Sequence, residues 1–113
     1  MPMIKRPVYP IHPGEILGDE LEILKMSPAE ASRALGVPPN RLYQILSGKR
    51  AITADTALRL QQWLGVEAAF WLNLQKRYEL DQAEESCGDA IRATVRPRDS
   101  ALHAQMTTQG VSV

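Results

Sequence analysis

Between residues 27 and 48 this sequence has room only for short helices with fixed ends. Ser27-Pro28-Ala29-Glu30 is a capping box with proline at the first helical position. The serine hydroxyl can take one orphan N–H of the new helix, the glutamate can return to the serine N–H, and proline has no N–H to leave unpaired. Ala31, Ala34 and Leu35 form the inward face of the helix so begun. Gly36 then offers the left-handed stop. Val37-Pro38-Pro39 bars continuation, because each proline pushes its predecessor out of helical geometry. Pro39 can itself open the next helix, which turns Leu42, Ile45 and Leu46 inward and stops at Ser47-Gly48. Two helices of about two turns, joined by a glycine turn with a small residue (Ser32) at the crossing and an apolar plug (Val37), have the form of a helix-turn-helix.

The surrounding sequence is helical in period too. Ile16, Leu17, Leu21 and Leu24 stripe a first helix that Pro13 can start, with Glu15, Asp19, Glu20 and Glu22 outside. Thr53 is suited to cap a fourth helix carrying Ala57, Leu58, Leu60, Trp63 and Leu64, which Gly65 ends. A fifth runs from about Glu67 to about Glu84. Its stripe is Phe70, Trp71, Leu74 and Tyr78, and these aromatics with Trp63 are expected in the core, one of them facing a partner copy. The predicted class is all-α, with five helices. The predicted organisation is an extended arm at 1–12, a helix-turn-helix domain at 13–85, a short C-terminal extension at 86–97 and a disordered tail at 98–113. Ile91–Val95 reads as a short strand or a helical remnant.

The chain's 113 residues suit one domain, and 13 Lys+Arg balance 13 Asp+Glu. Zero net charge excludes a strongly basic nucleic-acid coat protein, but the charge is segregated. Arg33, Arg41, Lys49, Arg50 and Arg59 stand against Asp55 alone in 33–59, while acids predominate in 13–32 and in 60–90. A single cysteine, Cys87, favours a reducing compartment, and no run is apolar enough for a membrane span. The expectation is a cytoplasmic, nucleoid-associated protein with no membrane partner. His12 and His103 have no neighbouring cysteine ligand, so no metal and no cofactor are expected; His12 is read as orienting the chain into the first helix. No nucleophile–base pair or paired catalytic carboxylates can be assigned, and an enzyme is not expected.

Packing the third helix by Leu42, Ile45 and Leu46 must expose the opposite side. Asn40, Tyr43, Gln44 and Ser47 there are hydrogen-bonding types suited to base edges. Arg41, Lys49 and Arg50, with the Ser27 helix N-terminus, are the candidates for phosphate. Arg41 and Arg33 could instead pair with Glu30.

The order of motifs is similar to a known family. His12-Pro-Gly-Glu-Ile-Leu17, Ala34-Leu-Gly-Val37, Ser47-Gly-Lys-Arg50, Ile52 through Leu60 and Phe70-Trp-Leu-Asn-Leu-Gln75 resemble the HigA-type antitoxins, the VapI group of Xre/Cro-like, lambda-repressor-like helix-turn-helix proteins, over about residues 8–97. The resemblance implies a homodimer on a palindromic operator that represses its own operon. It also implies neutralisation of a HigB-type toxin, a RelE-like mRNA-cutting enzyme; the acidic first helix and the tail are candidate toxin contacts. The sequence departs from the family at Pro28, where a glutamine is usual, and at Pro38-Pro39, where polar residues are usual. Each departure removes a potential DNA contact. The rival readings are a stand-alone repressor without a toxin, and a toxin-binding protein that has lost DNA binding.

Overall fold

The computed structural model describes residues 10–98. Most of the expected N-terminal arm and all of the expected tail beyond Arg98 lie outside the described residues. The chain forms five helices: α1 (Pro13–Leu24), α2 (Pro28–Leu35), α3 (Pro39–Leu46), α4 (Ala54–Leu64) and α5 (Ala68–Thr94). No strand occurs among the described residues.

The starts and stops follow the local chemistry. Ser27 Oγ accepts from Glu30 N at 3.1 Å and Glu30 Oε1 accepts from Ser27 N at 2.8 Å, so the capping box of α2 is closed. Gly36 ends α2 at φ 70°, in the region that disfavours any residue with a Cβ. Pro13, Pro28 and Pro39 all occupy first-turn positions, where they cost no helical hydrogen bond. Thr53 stands at the N-cap of α4 but makes no side-chain cap bond.

α1 and α2 both pack on α3, and α4 packs on α2. Leu17, Leu21, Ala31, Leu35, Val37, Leu42, Ile45, Ile52, Ala57, Leu60 and Trp71 form one buried cluster. Val37 plugs the turn as its sequence position predicts, and Ser32 at the crossing is 1% exposed. Three assignments to the core fail. Leu24 is exposed because Lys25 turns left-handed directly after it, and Met26 packs on the core in its place. Ala34 and Leu58 are exposed because the buried faces of their helices run through Ala31–Leu35 and Ala57–Leu60.

By internal contacts the chain divides into two units, residues 1–82 and 83–113. In the second, helix continues to Thr94, well past the end expected near Glu84, and Ile91–Thr94 is helical rather than strand. Its sequence explains this. Arg92 reaches Glu84 Oε2 at 2.6 Å and Asp89 Oδ1 at 2.9 Å, and Thr94 Oγ1 back-bonds to Ala90 O at 2.9 Å. A cation in the last turn also suits the helix dipole. No helix among the described residues is long and apolar enough to cross a membrane.

Candidate nucleic-acid interface

α3 buries Leu42 and Ile45 and turns the opposite face outward. Asn40, Tyr43 and Ser47 are exposed on that face, and Arg41 and Gln44 are half-buried. The segment after α3 folds back onto it. Gly48 N donates to Ile45 O at 3.0 Å and Lys49 N donates to Gln44 O at 2.8 Å. Ser47 Oγ donates to the same Gln44 carbonyl at 3.2 Å. Lys49 and Arg50 are thereby held beside the end of α3, both exposed. Arg50 Nε donates to Gln44 Oε1 at 2.8 Å. Gln44, Ser47, Lys49 and Arg50 thus form one connected array.

The other two candidates stand differently. Arg41 Nη1 donates to Asp55 Oδ1 at 3.0 Å, and Arg59 Nε donates to the same oxygen at 2.8 Å. The Asp55 carboxyl is held below the usual carboxylate range, first by Arg59 and then by Arg41. Arg41 therefore pairs with Asp55 and not with Glu30, because α4 brings an acid across the crossing. Arg59 also donates to the Leu35 and Gly36 carbonyls, at 3.0 and 3.3 Å, closing the C-terminus of α2. Ser27 lies apart from the array at the start of α2. The Glu30 carboxyl beside it is held below its ordinary range by the Ser27 backbone N–H and then by the Ser27 hydroxyl. An ionised carboxylate already occupies the helix N-terminus that the sequence reading offers to phosphate.

Two positioning residues emerge that the sequence reading did not single out for this face or gave only part of. His12 is 5% exposed. Its Nδ1 accepts from Gly14 N at 2.8 Å, capping α1 as expected of a residue that orients the chain. It also packs edge-on to Tyr78 at 4.8 Å, and its ring lies against Gly48, where an added Cβ would sit 3.8 Å from His12 Cγ. A buried ring thus braces the loop that carries Lys49 and Arg50. Gln75 of α5 accepts from Ile52 N at 2.9 Å and is itself 7% exposed, fixing the chain between α3 and α4. Its buried amide gives no periodic signal, since glutamine on a helix ordinarily reads as solvated.

Among the aromatics of the fourth and fifth helices, Trp71 is buried and Trp63 and Tyr78 half-buried, but Phe70 is 43% exposed. Its ring meets that of Trp71 edge-on at 5.2 Å.

Burial pushes the His12 pKa below its ordinary value of 6.5, against smaller upward pulls from the Arg50 backbone and Glu15. The unfolded chain then binds more protons at this site than the folded one, so stability rises with pH. His12's contribution is complete above 6.5 and declines as the pH falls below it. Thermal midpoints measured from about pH 7.5 down to about pH 5 should decline. His12→Asn, which keeps a cap acceptor but does not titrate there, should decline less. Equal pH slopes in the two proteins would remove His12 from this account.

A family model described as HTH_3, helix-turn-helix, matches residues 19–71. Virulence-associated protein I of Dichelobacter nodosus is 44% identical over 86 residues, covering 75% of this chain and 80% of that protein. An addiction module antidote protein of the HigA family from Coxiella burnetii has a solved structure with 49% identity and a TM-score of 0.77, over 78% of this chain and 97% of that one. The Pseudomonas aeruginosa antitoxin HigA, solved with the higBA promoter, is 41% identical with a TM-score of 0.78, over 80% of this chain and all of that one.

Proposed function

The chain belongs to the helix-turn-helix family that includes the HigA-type antitoxins and virulence-associated protein I, and on that premise we propose that it binds operator DNA and represses its own operon. The family's members are DNA-binding regulators and antitoxins rather than enzymes. The observation that carries the reading is the array at the end of α3, where backbone hydrogen bonds hold Lys49 and Arg50 beside Gln44. Asn40, Tyr43, Gln44 and Ser47 meet base edges in the major groove. Lys49 and Arg50 hold phosphates, with Arg41 contributing the N–H groups that Asp55 does not take; Ser27, engaged with the ionised Glu30 carboxylate, is left out of the phosphate contact. Pro28 and Pro39 sit at first-turn positions of intact helices, so they remove side-chain contacts without displacing the reading helix.

The protein acts as a homodimer whose two α3 helices enter successive major grooves about 34 Å apart on a palindrome. Exposed Phe70 and Leu80, and Ile91 and Val95 further on, are apolar residues available to a second copy. The exposed acids of α1, Glu15, Asp19 and Glu22, face a basic toxin encoded beside this gene, which the dimer neutralises.

Gel shifts on the chain's own upstream region test the reading. Lys49→Ala/Arg50→Ala should weaken binding at least about a hundredfold, and because a dimer loses four cations the plot of log affinity against log salt should become shallower by about 3–4. Unchanged affinity and slope would sink the phosphate assignment, and sedimentation should give two chains per operator. Co-expression with the neighbouring gene should yield a captured complex. Asp19→Lys/Glu22→Lys should lose that complex while keeping DNA binding; capture by the variant would remove α1 from the toxin contact.

A further inference from the structure

Gln44 does not face the outside as an ordinary amide. An arginine Nε–H can only donate, so the Gln44 group 2.8 Å from Arg50 Nε is the carbonyl oxygen Oε1, not the NH2. The amide is fixed in one of its two orientations. Its acceptor is turned back to the protein and its two N–H bonds are what it presents. The arrangement is braced from below. The Gln44 main-chain carbonyl accepts from both Lys49 N and Ser47 Oγ, and the buried His12 ring lies against Gly48. Arg50 is thus placed over Gln44 before any partner arrives.

This matters because a free glutamine matches adenine. Its oxygen takes the N6 hydrogen while its NH2 gives to N7. With one lone pair of the oxygen taken by Arg50 and the guanidinium charge beside it, the adenine N6–H2 group meets a weakened acceptor flanked by a cation. Guanine offers two acceptors in the major groove, N7 and O6, side by side. Thymine offers one acceptor beside a methyl group. An amide whose oxygen is engaged by a cation offers chiefly its NH2 hydrogens, and these suit guanine.

Resting on the reading that α3 enters the major groove, we propose that Arg50 positions the Gln44 amide so that Gln44 selects guanine over adenine at one base pair in each half of the operator. Arg50 is a positioning residue here. Its Nε holds Gln44, and its terminal nitrogens remain for phosphate. A purely phosphate-binding or structural Arg50 would scale the affinity for all sequences alike. A positioning Arg50 changes which base is preferred.

The test begins with selection of wild-type ligands from DNA duplexes with a randomised centre, followed by affinity measurements on the selected duplex with single base-pair changes. One guanine in each half should be preferred over adenine by about tenfold. Gln44→Ala should abolish that preference. Arg50→Ala should bind all duplexes more weakly and should also bring the guanine-to-adenine ratio at that position to one or below, because the freed carbonyl can again accept from adenine. Circular dichroism of both variants checks that they fold. A second variant, Arg50→Lys, keeps the charge but not the Nε donor, and it should reduce the ratio whatever loss of affinity all duplexes share. An unchanged ratio in Arg50→Ala overturns the proposal, as does a guanine preference that survives Gln44→Ala. Failure of the wild type to enrich any sequence would overturn DNA binding itself, which is a distinct result from binding with an unaltered ratio.

Discussion

Trp71→Ala is expected to lower the unfolding free energy by about 3–5 kcal/mol. A small domain has only about 5–15 kcal/mol in all, so the variant should unfold at far lower denaturant concentration, if it purifies folded at all. The reason lies in where the indole sits. Trp71 is 2% exposed and is the largest fully buried side chain. It joins α5 to the cluster built by α1 to α4. Truncation removes the apolar area and leaves a cavity that helices held by Gln75 and the α3–α4 segment cannot easily close. Trp71→Phe should behave differently. The indole Nε1 is buried without a hydrogen-bond partner among the described residues, and an orphan of that kind costs about 1–3 kcal/mol. Phenylalanine loses volume but removes the orphan, so it should cost less than half of what alanine costs. Chemical denaturation of the two variants decides. A Trp71→Phe loss of half the alanine loss or more would mean that removing the orphan nitrogen brings no relief.

Much of this fold is written in local chemistry, and the parts that are not have a common cause. Helix starts at Pro13, Pro28 and Pro39 and stops at Gly36 and Gly65 follow from rules acting over four or five residues. The same is true of the buried face of α3, because Leu42 and Ile45 recur at helical spacing. What escaped was set across the chain. Phe70 and Trp71 are adjacent aromatics of similar hydrophobicity, and nothing local says that Trp71 turns inward while Phe70 stays 43% exposed. Gln75 is a core residue only because Ile52 N needs an acceptor. The reach of α5 to Thr94 rests on Arg92 meeting Glu84 across two turns, which a stripe of apolar residues does not register.

The candidate site shows the same division. Its residue types were legible from the face opposite Leu42 and Ile45. Its pairings were not. Counting charges gives a basic stretch from Arg33 to Arg59, yet Arg41 and Arg59 both meet Asp55. Two of those cations are thereby committed in part to holding α2, α3 and α4 together. Of the remaining three, Lys49 and Arg50 are exposed together at the end of α3 and Arg33 is exposed on α2. On the proposed DNA-binding reading, affinity for arbitrary sequence should accordingly be modest.

Gly14→Ala is expected to cost about 3 kcal/mol, a larger loss than a single methyl group usually brings. A Cβ at Gly14 would overlap Ile45 O and lie 2.9 Å from the Ile45 carbonyl carbon. Both are backbone atoms of α3, so no side chain can swing aside. Either α1 lifts from α3 or the end of α3 moves, and the His12 cap on Gly14 N is disturbed with it. Gly18→Ala, one turn along the same helix, is the control. There the nearest atom is Leu46 Cδ2 at 3.9 Å, an ordinary contact, and replacing a mid-helix glycine should stabilise by about 0.5–1 kcal/mol. The two substitutions should therefore move the thermal midpoint in opposite directions. Because Ile45 belongs to the helix that carries Gln44, Gly14→Ala should also weaken DNA binding at temperatures where the variant is still folded. A Gly14→Ala protein as stable as Gly18→Ala would show that α1 and α3 do not approach this closely.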